Sequence, residues 1–263
     1  MSRPVLILAG TAEARALAAR LTADPDLAPL AALAGVTERP APYPCPVRRG
    51  GFGGTDGLAG ALATLEAEAL IDATHPFAAT ISANALAAAQ TAAVPLLVLA
   101  RPPWTPEPGD AWATYPSLGH ALATLPAGAR VFLATGRGGA KEAAPFFAAR
   151  PDLQGLARTI EPPGPLAPNL AAIRGAPGPL AKEIALLRAH RISHLVAKNA
   201  GGAQGRSKLD AARHLGLAVA LIARPAPPPG APLPEPSLEA LHTALRRRLG
   251  LSPSATDAAV RDA

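Results

Sequence analysis

The stretch Ala69-Leu-Ile-Asp-Ala-Thr-His-Pro-Phe-Ala-Ala-Thr-Ile-Ser-Ala-Asn84 passes from an apolar run through a polar loop into an alanine-rich segment. Residues 69–71 predict a short buried strand and residues 81–90 predict a helix, so Thr74 and His75 fall in the connecting loop. Ligands of open α/β sheets bind at the carboxyl ends of strands. The acid, hydroxyl and imidazole groups at this strand end therefore mark the loop as a candidate site.

Short apolar runs alternate with alanine-rich helical patterns along most of the chain. This alternation predicts parallel strands joined by helical crossovers. We therefore expect an α/β fold with two Rossmann-like, doubly wound lobes, mostly parallel sheets and a cleft between the lobes. The expected strands span 5–9, 29–34, 69–71, 96–99, 130–134, 157–160, 194–197 and 218–223, and the expected helices span 12–21, 58–66, 81–90, 180–189, 204–215 and 238–249.

The boundary between the lobes is expected near residue 105, because Arg101-Pro-Pro-Trp104 and the proline- and glycine-bearing segment after it break the alternation. Residues 1–105 then form the N-terminal lobe and residues 106–250 the C-terminal lobe. The proline- and glycine-rich stretch 162–179 predicts a loop, and residues 251–263 are expected to be a disordered tail.

The sequence is basic, with 25 Lys and Arg against 19 Asp and Glu, a formal charge of +6 and a pI near 10.2. This balance favours anionic partners. Nucleic acid is disfavoured, because aromatic residues are 3% of the chain and no basic run exceeds Arg246-Arg247-Arg248. Neither a stacking platform nor a phosphate-tracking stripe is therefore predicted, and a small polyanion fits the composition better.

Membrane proteins and metal-cluster proteins do not fit the sequence. Apolar runs reach about seven residues, whereas roughly 20 are needed to cross a bilayer, and the N-terminus has no secretory pattern. We therefore expect a cytoplasmic protein without a membrane partner. Cys45 is the one cysteine, and the six histidines have no metal-ligand spacing, so no metal site is predicted.

Glycine-bearing loops follow several of the expected strands. Gly10-Thr11 with Glu13 opens a helix, whose positive end favours an anion. Gly50-Gly-Phe-Gly-Gly54 lets a ligand approach the backbone closely. Lys198-Asn-Ala-Gly-Gly202 also lies between a strand and a helix, and the arginine of Thr135-Gly-Arg137 suits a carboxylate or phosphate. A flexible loop is the alternative interpretation of residues 50–54, and a surface turn is the alternative for residues 135–137. The single glycine at the first turn is weak evidence for nucleotide contact by itself.

Taken in order, these motifs resemble those of the precorrin-6A reductases over roughly residues 5–225. The resemblance implies an enzyme of cobalamin biosynthesis that uses a nicotinamide cofactor to reduce one carbon–carbon double bond of precorrin-6A, giving precorrin-6B. A cobalt-containing form of the substrate, as in the anaerobic route, stays an alternative. The motifs that carry the resemblance are Gly10-Thr11 with Glu13, the loop 50–54, Asp72-Ala-Thr-His-Pro-Phe77 with Ile81-Ser-Ala-Asn84, Arg101-Pro-Pro-Trp104, Thr135-Gly-Arg137, and Lys198-Asn-Ala-Gly-Gly202 with Lys208.

The resemblance also implies which residues meet each ligand. His75 and Asp72 are candidate proton donors by location, with solvent as a third, and a structural role for His75 stays open. The expected partners are the polyanionic tetrapyrrole and neighbouring enzymes of the same pathway. The cofactor-binding set is Gly10, Thr11, Glu13, Arg39, Gly51, Gly53, Gly54, Thr74, Lys198, Asn199, Gly201 and Gly202, and the substrate-binding set is His75, Phe77, Ser82, Arg101, Thr135, Gly136, Arg137 and Lys208.

One departure from the family pattern affects the choice of cofactor. Many members carry an arginine at about Val36, where it is a natural partner for the adenosine 2′-phosphate. In this sequence Arg39 or Arg48 would take that role. NADPH is therefore expected, with NADH as the alternative.

Two other classes of protein stay open from the residues themselves. A short-chain dehydrogenase or a sugar-nucleotide epimerase shares such loops but normally has a Tyr-x-x-x-Lys pair, and neither Tyr43 nor Tyr115 has lysine four residues on. A non-enzymatic binder of tetrapyrrole or nucleic acid needs the basic charge without a nicotinamide site. A change in nicotinamide absorbance with substrate distinguishes the enzymes from the binders.

Overall fold

The structure is a computed structural model that describes residues 1–34, 41–203 and 205–253. The chain divides into two compact units. The N-terminal unit comprises Met1–Arg101 together with the chain from Pro225 onward, and the central unit comprises Pro102–Arg224. Among the described residues, none of the helices combines the length and the apolar character needed to cross a bilayer.

The N-terminal unit is built on a parallel sheet. Within its described residues the strands lie in the order β3-β2-β1-β4-β5, and helices cross over between them. The elements are β1 (Arg3–Leu8), α1 (Ala12–Thr22), β2 (Leu27–Leu33), β3 (Val47–Arg49), α2 (Thr55–Thr64), β4 (Ala69–Asp72), α3 (Ala79–Thr91) and β5 (Leu96–Val98).

The alternation of side chains along β1 gives this sheet two buried faces. Val5 and Ile7 pack on one face with α1, whereas Leu6 and Leu8 pack on the other face with α2 and α3. A parallel strand covered on both sides by helices reads as a continuous apolar run. This is why β1 appears in the sequence as a continuous apolar run.

The central unit is also a parallel α/β structure. In its described part the strand order is β6-β11-β10-β7-β8-β9. Its elements are β6 (Trp112–Tyr115), α4 (Leu118–Ala123), β7 (Arg130–Ala134), α5 (Gly136–Ala149), β8 (Gln154–Thr159), β9 (Leu170–Arg174), α6 (Leu180–Ala189), β10 (His194–Lys198), α7 (Ser207–Leu215) and β11 (Ala218–Ile222). The two parallel sheets confirm the predicted fold class.

The last helix, α8 (Leu238–Arg248), belongs to the N-terminal unit. Its Leu241 and Leu245 are fully buried in the same core as Val5 and Ile7. Glu235 lies just before this helix. Its backbone N–H donates a hydrogen bond to the carbonyl of Val98, the last residue of β5, at 2.7 Å.

This division of the chain differs from the sequence prediction, which gave residues 106–250 to one lobe. The chain passes from the N-terminal unit to the central unit after Arg101 and back to the N-terminal unit after Arg224. An amphipathic pattern such as that of α8 predicts a buried face but does not specify which sheet the face covers. Of the predicted tail, residues 254–263 lie outside the described residues.

Most of the predicted elements are present within a few residues of their expected bounds, and α6 matches its prediction at both ends. The stretch 162–179, predicted to be a loop, contains β9. β9 is an edge strand whose Ala171, Ala172 and Arg174 are exposed. Such a strand lacks the apolar run on which the sequence prediction depended.

Candidate functional site

Two polar loops meet where β1 and β4 end in the N-terminal unit. Leu8 of β1 is paired with Asp72 of β4, so Gly10 and Thr74 follow on neighbouring strands. The order β3-β2-β1-β4-β5 places the topological switch point between these two strands. Ligands of doubly wound sheets bind in the crevice at that point.

Thr11 connects the two loops. Its hydroxyl accepts a hydrogen bond from the Ala14 N–H at 3.0 Å, which caps α1, and donates to the Ala73 carbonyl at 2.9 Å. Gly10 before it has a φ of +126°, and no described atom lies within 4 Å of where its Cβ would stand. The backbone of this turn is therefore open to close approach by a ligand.

Asp72 is buried at the end of β4 and holds the following loop. One carboxylate oxygen accepts from the Thr74 N–H at 3.0 Å and the Thr74 hydroxyl at 2.6 Å, and the other accepts from the Ser82 hydroxyl at 2.6 Å. Charge-assisted bonds of this kind are strong. They fix Thr74 at the crevice and fasten the first turn of α3.

His75 is exposed in the same loop. Its Nδ1 accepts the Phe77 N–H at 3.2 Å, and the two rings lie 5.8 Å apart between centroids. We assign the proton of the neutral ring to Nε2, since a nitrogen that accepts carries no hydrogen. Phe77 is half-buried. The loop thus holds the imidazole by Nδ1.

A cavity of about 230 Å³ lies beside these loops in the N-terminal unit. We call it the Glu13 cavity. Glu13 forms an ion pair in its wall, with Oε2 2.5 Å from Nη1 of Arg101. The apolar part of the wall includes Pro76, Leu99 and Leu238, and the polar part is Thr11, Glu13, Thr74, Arg101, Ser237 and Glu239.

The structure thus brings together residues that the sequence prediction divided. Arg101 was predicted to bind substrate, yet it lies with the cofactor candidates Thr11, Glu13 and Thr74. Ser237 and Glu239 were missed, because no local pattern links the start of α8 to a loop more than 200 residues earlier. The segment that returns from the central unit completes the cavity.

The predicted glycine loop precedes α2. Gly53 and Gly54 have φ values of +80° and +101°, and Gly57 lies so close to the loop that its Cβ would be 1.7 Å from the Phe52 carbonyl oxygen. Arg48 stacks on Phe52, with the guanidinium carbon 4.2 Å from the ring centroid, and donates to the Gly50 carbonyl at 3.1 Å. The arginine therefore orders this loop.

Two further residues bear on the cofactor prediction. Arg39 lies outside the described residues. Tyr43 was missed, although its hydroxyl accepts the Gly10 N–H at 3.2 Å and so touches the first glycine turn. An isolated tyrosine between prolines carries no motif that would have identified it.

The central unit has its own switch point, between β7 and β10. Ala134 is paired with Ala197, so Thr135 and Lys198 come next on adjacent strands. Gly136 has a φ of +75° and starts α5, and Arg137 follows it at the helix N-terminus. The predicted loops 135–137 and 198–202 therefore meet at one edge of one sheet.

Lys198 is partly buried at this edge. Burial lowers the pKa of its amine below the ordinary value, and the nearby Glu142 carboxylate acts in the opposite direction. Desolvation disfavours the charged form of an amine. A bound anion would act in the same direction as Glu142 and raise this pKa again.

The remaining residues of the Lys-Asn-Ala-Gly-Gly motif hold Trp104. The Asn199 amide accepts from the Trp104 N–H at 2.8 Å and donates to its carbonyl at 3.0 Å, and the indole N–H donates to the Gly202 carbonyl at 2.7 Å. Gly201 has a φ of +69°, and its Cβ would lie 2.0 Å from the Pro102 carbonyl oxygen. Packing against Pro102 and Trp104 therefore explains Gly201 and Asn199.

Lys208 belongs to the same packed group. It is buried, donates to the Gly205 carbonyl at 2.6 Å and lies 4.6 Å from the centroid of the Trp104 ring. A cation on an aromatic face is stabilised by the ring quadrupole. These contacts favour a structural role for Lys208 over the predicted contact with substrate.

Comparisons with known proteins point to one family. The family model described as "Precorrin-6x reductase CbiJ/CobK" matches residues 4–246. Proteins named precorrin-6A reductase from Rhodococcus erythropolis and Rhodobacter capsulatus are each 46% identical, over 86% and 85% of this chain and 90% and 89% of their own lengths. The solved structure of a CobK precorrin-6A reductase, 43% identical, superposes with a TM-score of 0.87 and covers 95% of this chain and 98% of its own.

Proposed function

This chain belongs to the CbiJ/CobK family of precorrin-6x reductases, and from that premise we propose a division of labour in which the N-terminal unit binds NADPH and the central unit binds precorrin-6A. The family makes the chain an oxidoreductase of cobalamin biosynthesis. A hydride and a proton add across one carbon–carbon double bond of the macrocycle to give precorrin-6B. The cofactor supplies the hydride, and the protein supplies binding, orientation and the exclusion of water.

The observation that carries the cofactor assignment is the strand order of the N-terminal unit. The order β3-β2-β1-β4-β5 corresponds to strands 3-2-1-4-5 of the dinucleotide-binding fold. The central unit has the different order β6-β11-β10-β7-β8-β9. In the dinucleotide fold the pyrophosphate lies at the turn after the first strand, which here is the turn of Gly10 and Thr11.

The residues of this turn fit a dinucleotide. Gly10 has a positive φ and no described atom near the position of its Cβ, and Gly53 and Gly54 in the loop before α2 share both properties. Thr11 orients the turn by capping α1 and bonding to Ala73. Because the Gly10 N–H already donates to Tyr43, the phosphates would be held by the N–H groups at the start of α1 and of the glycine loop, as anions are held at helix N-termini.

NADPH rather than NADH is favoured by charge. The segment after β2 holds Arg39, and β3 ends with Arg48 and Arg49. An arginine near the end of the second strand accommodates the 2′-phosphate of NADP. Because Arg48 is already engaged with Phe52 and Gly50, we assign the 2′-phosphate to Arg39.

We assign the loops of the central unit to one ligand, the macrocycle. The sequence prediction gave 135–137 to the substrate and 198–202 to the cofactor, but both meet at the switch point between β7 and β10. Arg137, Lys141 and Lys198 give this edge a basic character. Precorrins carry acetate and propionate side chains, which such cations bind.

The two proton-donor candidates have different environments. Asp72 is buried and bonded through both carboxylate oxygens, so we propose that it positions Thr74 and the start of α3. His75 is exposed, and its Nδ1 is held by the Phe77 N–H. His75 is therefore the better candidate for delivering a proton to the macrocycle.

The test of the proposed function is an assay with purified protein, precorrin-6A and either NADPH or NADH. Nicotinamide absorbance and the macrocycle spectrum are followed together. We expect matched oxidation and reduction with NADPH and a weaker response with NADH. A cobalt-loaded substrate in a parallel arm distinguishes the two routes. No change with either cofactor, while the protein binds nucleotide and stays folded, would contradict the proposal.

His75→Ala tests the proton donor. We expect turnover to fall about 10²-fold, as for loss of a general acid, with the melting temperature unchanged because the side chain is exposed. His214→Ala, also exposed but on α7, is the matched control. Unchanged kinetics in the His75 variant would remove the imidazole from the reaction.

A further inference from the structure

Charged and hydroxyl side chains form the polar part of the wall of the Glu13 cavity. Glu13 and Glu239 contribute carboxylates, Arg101 contributes one guanidinium, and Thr11, Thr74 and Ser237 contribute hydroxyls. The side chain of Glu13 is 30% exposed, and its ion pair with Arg101 fixes the direction of its carboxylate. Glu239 is paired with Arg20 at 3.5 Å, as Glu13 is with Arg101, so each carboxylate of the wall has its own guanidinium partner. A phosphate or a precorrin carboxylate would have to compete with these carboxylates for the guanidinium of Arg101.

The size of the cavity narrows the choice of occupant. Its volume of about 230 Å³ lies below the roughly 300–1,000 Å³ of pockets that enclose a drug-sized ligand. A tetrapyrrole does not fit, whereas one six-membered ring with a small substituent does. Hydroxyl groups in the wall suit an amide substituent, and Pro76, Leu99 and Leu238 suit the ring.

The position of the cavity selects one end of the cofactor. In the dinucleotide fold the adenosine ribose lies by the second strand and the pyrophosphate by the first. The remaining half then extends over the strands on the opposite side of the switch point, which here are β4 and β5. The cavity lies on that side, because Ala73, Thr74 and Leu99 follow these strands.

We infer that the Glu13 cavity receives the nicotinamide ring and that Glu13 is a catalytic residue whose carboxylate stabilises the positive charge of the oxidised ring. The inference rests on the proposed function. When bound there, the cofactor would supply the hydride, and the charge of its ring would change from neutral to positive. A fixed carboxylate beside the ring interacts more strongly with that charge as it develops, which lowers the barrier.

Arg101 is a positioning residue in this scheme. Its Nη1 lies 2.5 Å from the Glu13 carboxylate, and its side chain is 15% exposed. Because the pair joins the first turn of α1 to the chain after β5, the carboxylate cannot swing away from the cavity without breaking it. The ion pair thus orients the carboxylate in advance of cofactor binding.

Glu13→Gln tests the inference through binding rather than turnover. NADP⁺ and NADPH carry the same phosphates and differ in ring charge, so the ratio of their dissociation constants isolates the charge near the ring. We expect the variant to lose affinity for NADP⁺ about tenfold more than for NADPH, as removal of a nearby opposite charge predicts. Isothermal titration calorimetry with each nucleotide measures both constants.

Two variants serve as references. Glu13→Asp keeps the charge and should retain most of the wild-type ratio of dissociation constants. Glu66→Gln removes an exposed carboxylate just after α2, at the end away from the glycine loop, and should leave that ratio unchanged. A wild-type ratio in Glu13→Gln, with both nucleotides still bound, would overturn the inference and leave the proposed function standing. Failure of the wild-type protein to bind either nucleotide would overturn both.

Discussion

Lys198 shows how burial prepares a side chain for an anion. Its pKa is lowered because the amine is partly desolvated, although Glu142 partly offsets the effect. The protonated form binds carboxylates and the neutral form does not. The lowered pKa brings deprotonation of the amine closer to neutral pH. The affinity for a polycarboxylate should therefore begin to fall at a lower pH than it would if the binding lysine were exposed.

We therefore expect the affinity for precorrin-6A to decline as pH rises through the lowered pKa of Lys198. The carboxylates of the ligand stay ionised throughout this range, so their charge does not contribute. Lys198→Arg keeps its charge at all these pH values and should show a flatter profile. Lys198→Ala should bind more weakly and with a smaller salt dependence than the wild type, because Arg137 and Lys141 remain. Spectral titration of the macrocycle measures the affinities. A decline of equal size in the arginine variant would contradict the assignment.

Two glycines of α2 provide a comparison within one helix. A Cβ on Gly57 would lie 1.7 Å from the Phe52 carbonyl oxygen, whereas no described atom lies within 4 Å of a Cβ on Gly60. Gly57→Ala should therefore displace the glycine loop and destabilise the protein by about 1–3 kcal/mol. Gly60→Ala should stabilise it by up to about 1 kcal/mol, because alanine favours the helix. Denaturant unfolding measures both, and equal effects would refute the close approach.

At this scale the sequence predicts turns well and side-chain partners poorly. Gly10 and Thr11 were expected at a strand-to-helix turn because a local pattern specifies that geometry. Asn199 was expected at the cofactor, yet it bonds the backbone of Trp104, 95 residues earlier in the chain. Such a contact depends on the packed fold, and no spacing in the sequence encodes it.

Among the elements, α8 is attached by a buried charge network as well as by leucines. Asp24 accepts from Arg246 at 2.5 Å and bonds with His242 at 2.7 Å, and Arg246 also donates to Asp26 at 2.8 Å. Burial acts to raise the pKa of Asp24, but the hydrogen bonds from Arg246 and His242 outweigh it, so the pKa is lowered. The stabilisation is present above the ordinary pKa of an aspartate and is lost as pH falls through the lowered value.

Arg246→Met should destabilise the N-terminal unit by about 3 kcal/mol, because it leaves a buried carboxylate without its main partner. Arg247→Met on the adjacent, exposed position is the control and should have little effect. Thermal unfolding at neutral pH measures the difference. At a pH near the lowered pKa of Asp24, the melting temperatures of the two variants should become more alike, because the carboxylate is then partly protonated. An undiminished difference in melting temperature at that pH would contradict the role of this carboxylate.

The sequence predicted the elements that have a strong local pattern of apolar residues. β1, with its continuous apolar run, and α6, with its helical spacing, were expected from their residues. β9 was not, because Ala171, Ala172 and Arg174 are exposed on an edge strand. Its place depends on pairing with β8, in which Gly155 lies opposite Leu170. Pairing between strands is a property of the folded sheet rather than of either segment.

For the whole molecule, the order of segments determines which unit can fold without the rest. The central unit is continuous, from Pro102 to Arg224, whereas the N-terminal unit needs both ends of the chain. Leu241 and Leu245 of α8 are fully buried against the β1 face of that unit. Glu235 also pairs with the end of β5. The sequence could not reveal that the chain after residue 225 completes the N-terminal unit, because the break in the pattern near residue 105 marks only the first boundary.

Two fragments test this dependence. Residues 102–224 should fold cooperatively, because the unit keeps its whole sheet and its own core. Residues 1–224 should show that same transition but no cooperative unfolding of the N-terminal unit, since removal of α8 uncovers Val5, Ile7 and Leu17. Each buried leucine that is lost costs about 2–5 kcal/mol, and two such losses approach the whole stability of a domain. Calorimetry distinguishes the outcomes: a second, wild-type-like transition in 1–224 would show that the returning segment is not needed to close the N-terminal core.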